Sequence, residues 1–84
     1  MKITLKLYAT LSDYLPAAAR ATNALPLDLE PGTTVSRVIE QHKLPEKLTH
    51  LVLINGAFVP PQARASRALQ DGDVLAIWPP IAGG

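Results

Sequence analysis

The 84-residue chain is long enough for a single domain, and a chain of this length buries only about 60–65% of its unfolded surface. It contains no cysteine, which excludes disulfides, thiolate nucleophiles and cysteine-bound zinc. The formal net charge is +1 and the basic residues are scattered, so we expect no nucleic-acid and no membrane partner. Neither a signal peptide nor an apolar run of ~20 residues is present, which predicts a cytoplasmic location.

The N-terminal half predicts two strands separated by a long connection. Residues 2–8 alternate polar and apolar side chains, which is typical of a half-buried strand. Residues 9–21 are rich in alanine but contain Pro16, so we expect a connection that is only partly helical. Leucines alternate again over residues 25–29, and Pro31-Gly32 supplies the turn that ends this second strand.

A helix is predicted to follow the second strand. Thr33 or Thr34 can cap its N-terminus, and apolar residues recur from Val35 at helical spacing. Pro45 cannot continue a helix and restricts the residue before it, so we expect the helix to end near residues 43–44.

Three further strands are predicted in the C-terminal half. Residues 51–54 are apolar at every position, so this strand is either central in the sheet or carries an exposed apolar patch. Asn55-Gly56 is a strong signal for a two-residue hairpin that leads into residues 58–59. Asp-Gly-Asp at residues 71–73 indicates a turn before the last strand at residues 74–78.

The resulting order, β-β-α-β-β-β, predicts an α+β roll of the ubiquitin-like β-grasp type, with a mixed sheet packed on one helix. Other small mixed folds share this order. We divide the chain into a β-grasp domain at residues 1–78 and an extended tail at residues 79–84. Strand parity and helix spacing predict a core of Ile3, Leu5, Leu27, Val38, Ile39, Val52, Ile54, Leu75 and Ile77.

No cluster inside the domain predicts an active site. His42 and His50 lack a third metal ligand at a recognisable spacing, so we interpret them as polar residues at the ends of elements. Asp71 and Asp73 flank a glycine in a turn pattern, which favours turn chemistry over acid–base catalysis. There is no glycine-rich phosphate loop, so we expect this chain to bind no cofactor. Because the two histidines have no third ligand at a recognisable spacing, we also expect no metal.

The last residues form the most informative segment: Trp78, Pro79, Pro80, Ile81, Ala82, Gly83 and Gly84. Two prolines stop the final strand and stiffen the segment, so it is expected to project from the sheet. The side chains then become smaller, from isoleucine through alanine to the two glycines at residues 83–84, which gives a tip slim enough for a narrow channel in a partner. The alternative is an ordinary frayed terminus.

Asp-Gly-Asp-Val at residues 71–74, followed by Pro-Pro-Ile-Ala-Gly-Gly at residues 79–84, resembles the ending of the MoaD/ThiS sulfur carriers. The MoaD type is the small subunit of molybdopterin synthase, and the ThiS type serves thiamin thiazole synthesis. The element order agrees over the whole chain, while the specific signal is confined to residues 71–84.

The resemblance implies that an E1-like enzyme uses ATP to adenylate the Gly84 carboxylate. A sulfur donor, usually a persulfide enzyme, then displaces AMP and leaves a thiocarboxylate on Gly84. An acceptor such as the large subunit of molybdopterin synthase would take the sulfur. The chain itself would be a carried substrate, or a small non-catalytic subunit of a sulfur-transferase complex, without an active site of its own.

Several alternatives stay open at this point. Pro79-Pro80 before a small residue and Gly-Gly favours the molybdopterin type. Residues 55–60 also resemble thiazole-type carriers, and residues 11–21 contain Pro16 and an alanine run in place of a charged helix. A ubiquitin-like modifier joined through Gly84 to lysines of other proteins would need the same adenylation. A plain β-grasp interaction module would have an inert tail.

Strand parity also predicts a partner-docking patch beside the tail. If the apolar residues of the predicted core point inward, Leu51, Leu53 and Trp78 point to the opposite face of the sheet. A single helix covers only one face, so these side chains, together with Phe58, are expected to form an apolar patch for a partner. The alternative is that Trp78 closes the edge of the core.

Overall fold

The computed structural model describes residues 1–80. Five strands of this part of the chain form one sheet in the order β2-β1-β5-β3-β4. The strands are β1 (Lys2–Leu7), β2 (Ala24–Asp28), β3 (Leu51–Ile54), β4 (Ala57–Phe58) and β5 (Val74–Trp78). The helices are α1 (Ala17–Arg20) and α2 (Val35–Gln41), with 3-10 turns at Ala9–Tyr14, Glu46–Leu48 and Pro61–Ala63. The predicted order of strands and helix along the chain and the partly helical first connection are confirmed. No helix in residues 1–80 has the length and apolar character to cross a membrane.

The centre of the sheet is the parallel pair of β1 and β5. Leu5 lies opposite Leu75 and Leu7 lies opposite Ile77, and all four side chains are fully buried. The other neighbouring strands pair antiparallel. After β2 at one edge, the chain crosses the sheet to β3 and β4 on the other side, and α2 lies in this crossover connection. Strand β5 then enters between β1 and β3.

Helix α2 begins and ends with recognisable capping structures. The Thr34 hydroxyl accepts a hydrogen bond from the amide of Arg37 at 3.2 Å, which confirms Thr34 as the N-cap. At the other end Lys43 has a φ of 55°, its amide donates to Glu40, and the amide of Leu44 donates to Ile39. This is a Schellman motif, and it ends the helix earlier than the prediction from Pro45 had placed it.

The core contains seven of the nine predicted residues, and the other two are only partly buried. Leu27 lies on the edge strand β2, where a neighbouring strand covers it on one side only. Ile39 lies on the flank of α2, beside the fully buried Val38. The core cluster also contains further buried residues, which come mainly from the connections: Leu7, Leu11, Leu15, Ala19, Val35, Leu44, Val59 and Leu69.

We expect Val38→Ala to lower the free energy of unfolding by about 1–4 kcal/mol, because it leaves a cavity in a closely packed core. Ile39→Ala is the matched control on the same helix. Although it removes more atoms, we expect it to cost no more than Val38→Ala, since Ile39 is partly exposed. Urea unfolding followed by circular dichroism measures both changes. A clearly smaller loss for Val38→Ala would show that α2 presents a different face to the core.

Candidate functional site

An apolar surface lies on the sheet face opposite α2. Leu51 pairs with Trp78, and Leu53 lies between Ala76 and Phe58, so these side chains share one face. Phe58 is 56% exposed and Leu51 36% exposed, whereas Leu53 and Trp78 are partly buried. The small side chain of Ala76 is buried between larger neighbours. The structure thus brings together the four residues predicted for the docking patch.

Tyr8 completes this surface. Its ring stacks on that of Trp78, with centroids 4.3 Å apart and planes 3° from parallel. The amide of Tyr8 donates to the carbonyl oxygen of Ile77 at 3.2 Å, which fixes Tyr8 beside the end of β5. We call Tyr8, Leu51, Leu53, Phe58 and Trp78 the outer patch. Tyr8 was not among the residues predicted for this patch, since only the parallel pairing of β1 and β5 makes Tyr8 a neighbour of Trp78.

The tail begins at the rim of the outer patch. The carbonyl oxygen of Trp78 accepts a hydrogen bond from the amide of His50 at 3.1 Å, Pro79 is buried, and Pro80 is exposed. A groove of about 400 Å³ lies here, lined by His50, Leu51, Trp78 and Pro79. The remaining predicted tail residues, namely Ile81, Ala82, Gly83 and Gly84, lie outside the residues that the structure describes.

The two aspartates of the Asp-Gly-Asp turn bind backbone and side-chain amides. One carboxylate oxygen of Asp73 accepts from the Asn55 side-chain amide at 2.9 Å, and the other accepts from the Gln70 amide at 2.8 Å. Asp71 accepts from the amide of Lys2 at 2.7 Å. The side-chain oxygen of Asn55 in turn accepts from the amide of Val74. These contacts confirm the interpretation as turn chemistry and fix the start of β5.

The two histidines lie at the ends of elements, as predicted. His42 follows the last residue of α2, and its Nδ1 lies 3.0 Å from the carbonyl oxygen of Val38, within hydrogen-bond distance. His50 precedes β3, is exposed, and contributes to the groove beside the tail. The helix end and the strand start at which the two histidines lie therefore explain their positions.

Comparison with known proteins identifies the family. The model of the ThiS family matches residues 14–84, which is most of the chain. The chain belongs to the ThiS family. This confirms the resemblance to the MoaD/ThiS group that the Asp-Gly-Asp and Gly-Gly segments suggested. A comparison with curated protein sequences found no match.

Solved structures resemble this ThiS family member over 95–100% of its length. SAMP1 from Haloferax volcanii is 24% identical with a TM-score of 0.68, and the match covers 100% of both chains. A putative molybdopterin converting factor subunit 1 from Pyrococcus furiosus is 22% identical with a TM-score of 0.68, covering 95% of this chain and 98% of that one. A complex of subunits 1 and 2 of molybdopterin-converting factor from Helicobacter pylori matches at 15% identity and a TM-score of 0.62, with 100% coverage of both chains. These likenesses confirm the predicted ubiquitin-like β-grasp fold.

Proposed function

We propose that this protein is a sulfur carrier whose chemistry takes place at the carboxylate of Gly84. The observation that carries the proposal is the ThiS family match, which extends through the Gly-Gly segment to Gly84. The chain has no cysteine, so a carried sulfur atom cannot reside on a thiol of its own. A thiocarboxylate at Gly84 needs none. Because adenylation requires ATP, we also propose a cytoplasmic location.

The reaction follows from the poor reactivity of a carboxylate. A carboxylate oxygen is a poor leaving group, so the acyl carbon must first be activated. An E1-like enzyme joins the Gly84 carboxylate to AMP and releases pyrophosphate from ATP. The terminal sulfur of a persulfide donor then attacks the acyl carbon and displaces AMP, which leaves the donor joined to Gly84 through an acyl disulfide. A thiol of the partner enzymes attacks the donor's sulfur in that S–S bond, forms a disulfide with it, and releases the thiocarboxylate. All catalytic groups and the ATP site belong to the partners.

The outer patch is the surface that we assign to the activating enzyme. It combines an exposed phenylalanine and leucine with a stacked aromatic pair, and aromatic anchors often dominate the energy of an interface. The patch adjoins Pro79, so a partner bound there also meets the root of the tail. Six residues, 79–84, can extend about 20 Å at ~3.3–3.6 Å each, which is far enough to enter a buried site.

For the acceptor, we propose a synthase of the molybdopterin type. Pro79-Pro80 before a small residue and Gly-Gly supports this choice. The solved complex of two molybdopterin-converting factor subunits supports a large-subunit partner for a protein of this fold. A thiamin-thiazole acceptor is the alternative, and transfer of labelled sulfur from Gly84 to a pterin or to a thiazole precursor distinguishes the two.

A ubiquitin-like modifier is the second candidate function, and the likeness to SAMP1, a protein named as a small archaeal modifier, favours it. Both functions begin with adenylation of Gly84, so they separate only afterwards. A thiocarboxylate on the free protein supports the carrier. Covalent adducts of this chain on lysines of other proteins support the modifier. If deletion of Gly83-Gly84 leaves the biological function intact, both are wrong and the domain is an interaction module.

We expect Gly83→Val to fold normally but to lose most of its activation, because a β-branched side chain restricts φ and widens the tip that must enter a narrow channel. Gly83→Ala is the matched control and should retain more activity, since it adds a single methyl group. ATP–pyrophosphate exchange with the activating enzyme measures both variants. Full activity of Gly83→Val would argue against a narrow channel.

A further inference from the structure

Arg64 is the only buried basic side chain among residues 1–80, with 7% of its surface exposed. Removing a guanidinium group from water is costly unless hydrogen bonds replace those it made with solvent. Burial accordingly lowers the pKa of Arg64 below its ordinary value. No carboxylate of the described residues forms an ion pair with it. Arg64 must therefore be stabilised by neutral groups of the protein.

Those groups are three backbone carbonyls at the ends of two strands. Nη1 donates to Thr49 at 2.6 Å, Nη2 donates to His50 at 3.0 Å, and Nε donates to Val59 at 3.3 Å. Thr49 and His50 immediately precede β3, and Val59 immediately follows β4. One planar group thus joins the beginning of one strand to the end of the next.

Arg64 is itself held in place by its backbone. Its amide donates to Pro61 at 3.3 Å within the 3-10 turn, and its carbonyl oxygen accepts from the amide of Ser36 at 3.0 Å, in the first turn of α2. The guanidinium group is therefore fixed relative to the helix as well as to the strands. An apolar side chain of similar volume would fill the site without bonding any of the three carbonyls.

The contacts of His50 continue this connection to the tail. While its carbonyl oxygen accepts from Arg64, its amide donates to the carbonyl oxygen of Trp78 at 3.1 Å. Trp78 is the last residue of β5 and the first neighbour of Pro79. Two residues, His50 and Trp78, therefore connect the buried guanidinium group to Pro79 at the root of the tail.

We propose that Arg64 is a positioning residue, which acts through His50 to hold the root of the tail at the rim of the outer patch. Its effect on the reaction rests on the proposed function, whereas its effect on His50 does not. Because a reacting group must be held closely in its productive geometry, a loosened root reduces the rate of adenylation in the docked complex. Docking itself, which uses the whole outer patch, is affected less.

The test compares Arg64→Met, which has no donor, and Arg64→Lys, whose three donors lie on one nitrogen and do not reproduce the planar guanidinium group, in which three separate nitrogens meet the three carbonyls. Arg67→Met is the matched control, because Arg67 is exposed and lies in the same segment. Hydrogen exchange is measured at the amide of His50 and, as an internal reference, at Leu5 in the central strand β1. In both Arg64 variants we expect exchange at His50 to accelerate by at least about tenfold relative to Leu5.

Kinetics of adenylation provide the second measurement. Per folded molecule, we expect kcat of the Arg64 variants to fall about tenfold while KM changes by less than about threefold, and Arg67→Met to match the wild type. If Arg64→Met does not fold, Arg64→Lys carries both measurements. Equal acceleration of hydrogen exchange at His50 and Leu5, with an unchanged kcat, would overturn the inference. That result is expected of a residue that stabilises the whole domain without positioning the tail. Failure of the wild type to be adenylated would contradict the proposed function, and the exchange measurement would still decide the role of Arg64.

Discussion

We expect Trp78→Ala to weaken the complex with the activating enzyme by about 30-fold or more, which corresponds to about 2 kcal/mol. Trp78 lies where the outer patch meets the tail, and Tyr8 holds its ring by stacking at 4.3 Å. A partner therefore meets a large apolar group whose orientation is already fixed, so little conformational entropy is lost on binding. Titration calorimetry with the purified enzyme measures the change.

Stability is the necessary control for this variant, because Trp78 is partly buried. Loss of an aromatic pair costs about 0.5–1.5 kcal/mol beyond the lost burial, so we expect a lower melting temperature but a folded domain. Tyr14→Ala removes another aromatic side chain, 39% exposed, from the 3-10 turn outside the sheet, and should leave binding unchanged. If Trp78→Ala unfolds the domain while the remaining folded protein binds fully, Trp78 is a core residue and the docking surface lies elsewhere.

The features that sequence reasoning predicted well are those with a local cause. Asn55 and Gly56 have φ values of 51° and 85°, and few residue pairs other than Asn-Gly adopt two positive φ values so readily. The apolar strand at residues 51–54 is flanked by β5 and β4, and it exposes Leu51 as well as burying Val52, so both expectations for it were met. Alternation within each strand was enough to place Leu51, Leu53 and Trp78 on one face.

What sequence reasoning missed depends on contacts between distant parts of the chain. Tyr8 meets Trp78 only because β1 and β5 pair in parallel, and no local pattern in either segment specifies that pairing. The role of Arg64 depends on carbonyls of residues 49, 50 and 59, which a loop brings around it. Lys43 adopts a positive φ that glycine usually supplies, so no glycine marked the end of α2, and the signal from Pro45 placed that end too late in the chain.

The second large effect is expected at Gly84. Amidation of its carboxylate, or one appended residue, should abolish ATP–pyrophosphate exchange with the activating enzyme, because the oxygen that attacks ATP is then blocked or displaced. The fold should persist, since the sheet and core lie within residues 1–80. Circular dichroism provides the control for folding. Adenylation of the extended variant at the normal rate, without prior trimming, would show that the terminal-carboxylate mechanism is wrong.

Intact-mass spectrometry of the protein after incubation with ATP, the activating enzyme and a persulfide donor tests the central claim most directly. We predict a mass increase equal to the replacement of one oxygen atom by sulfur, localised by fragmentation to Gly84 and absent from the amidated protein. The same sample without ATP should show no change. An unmodified Gly84 in the complete mixture, under conditions in which the enzyme activates another carrier, would contradict the assignment as a sulfur carrier.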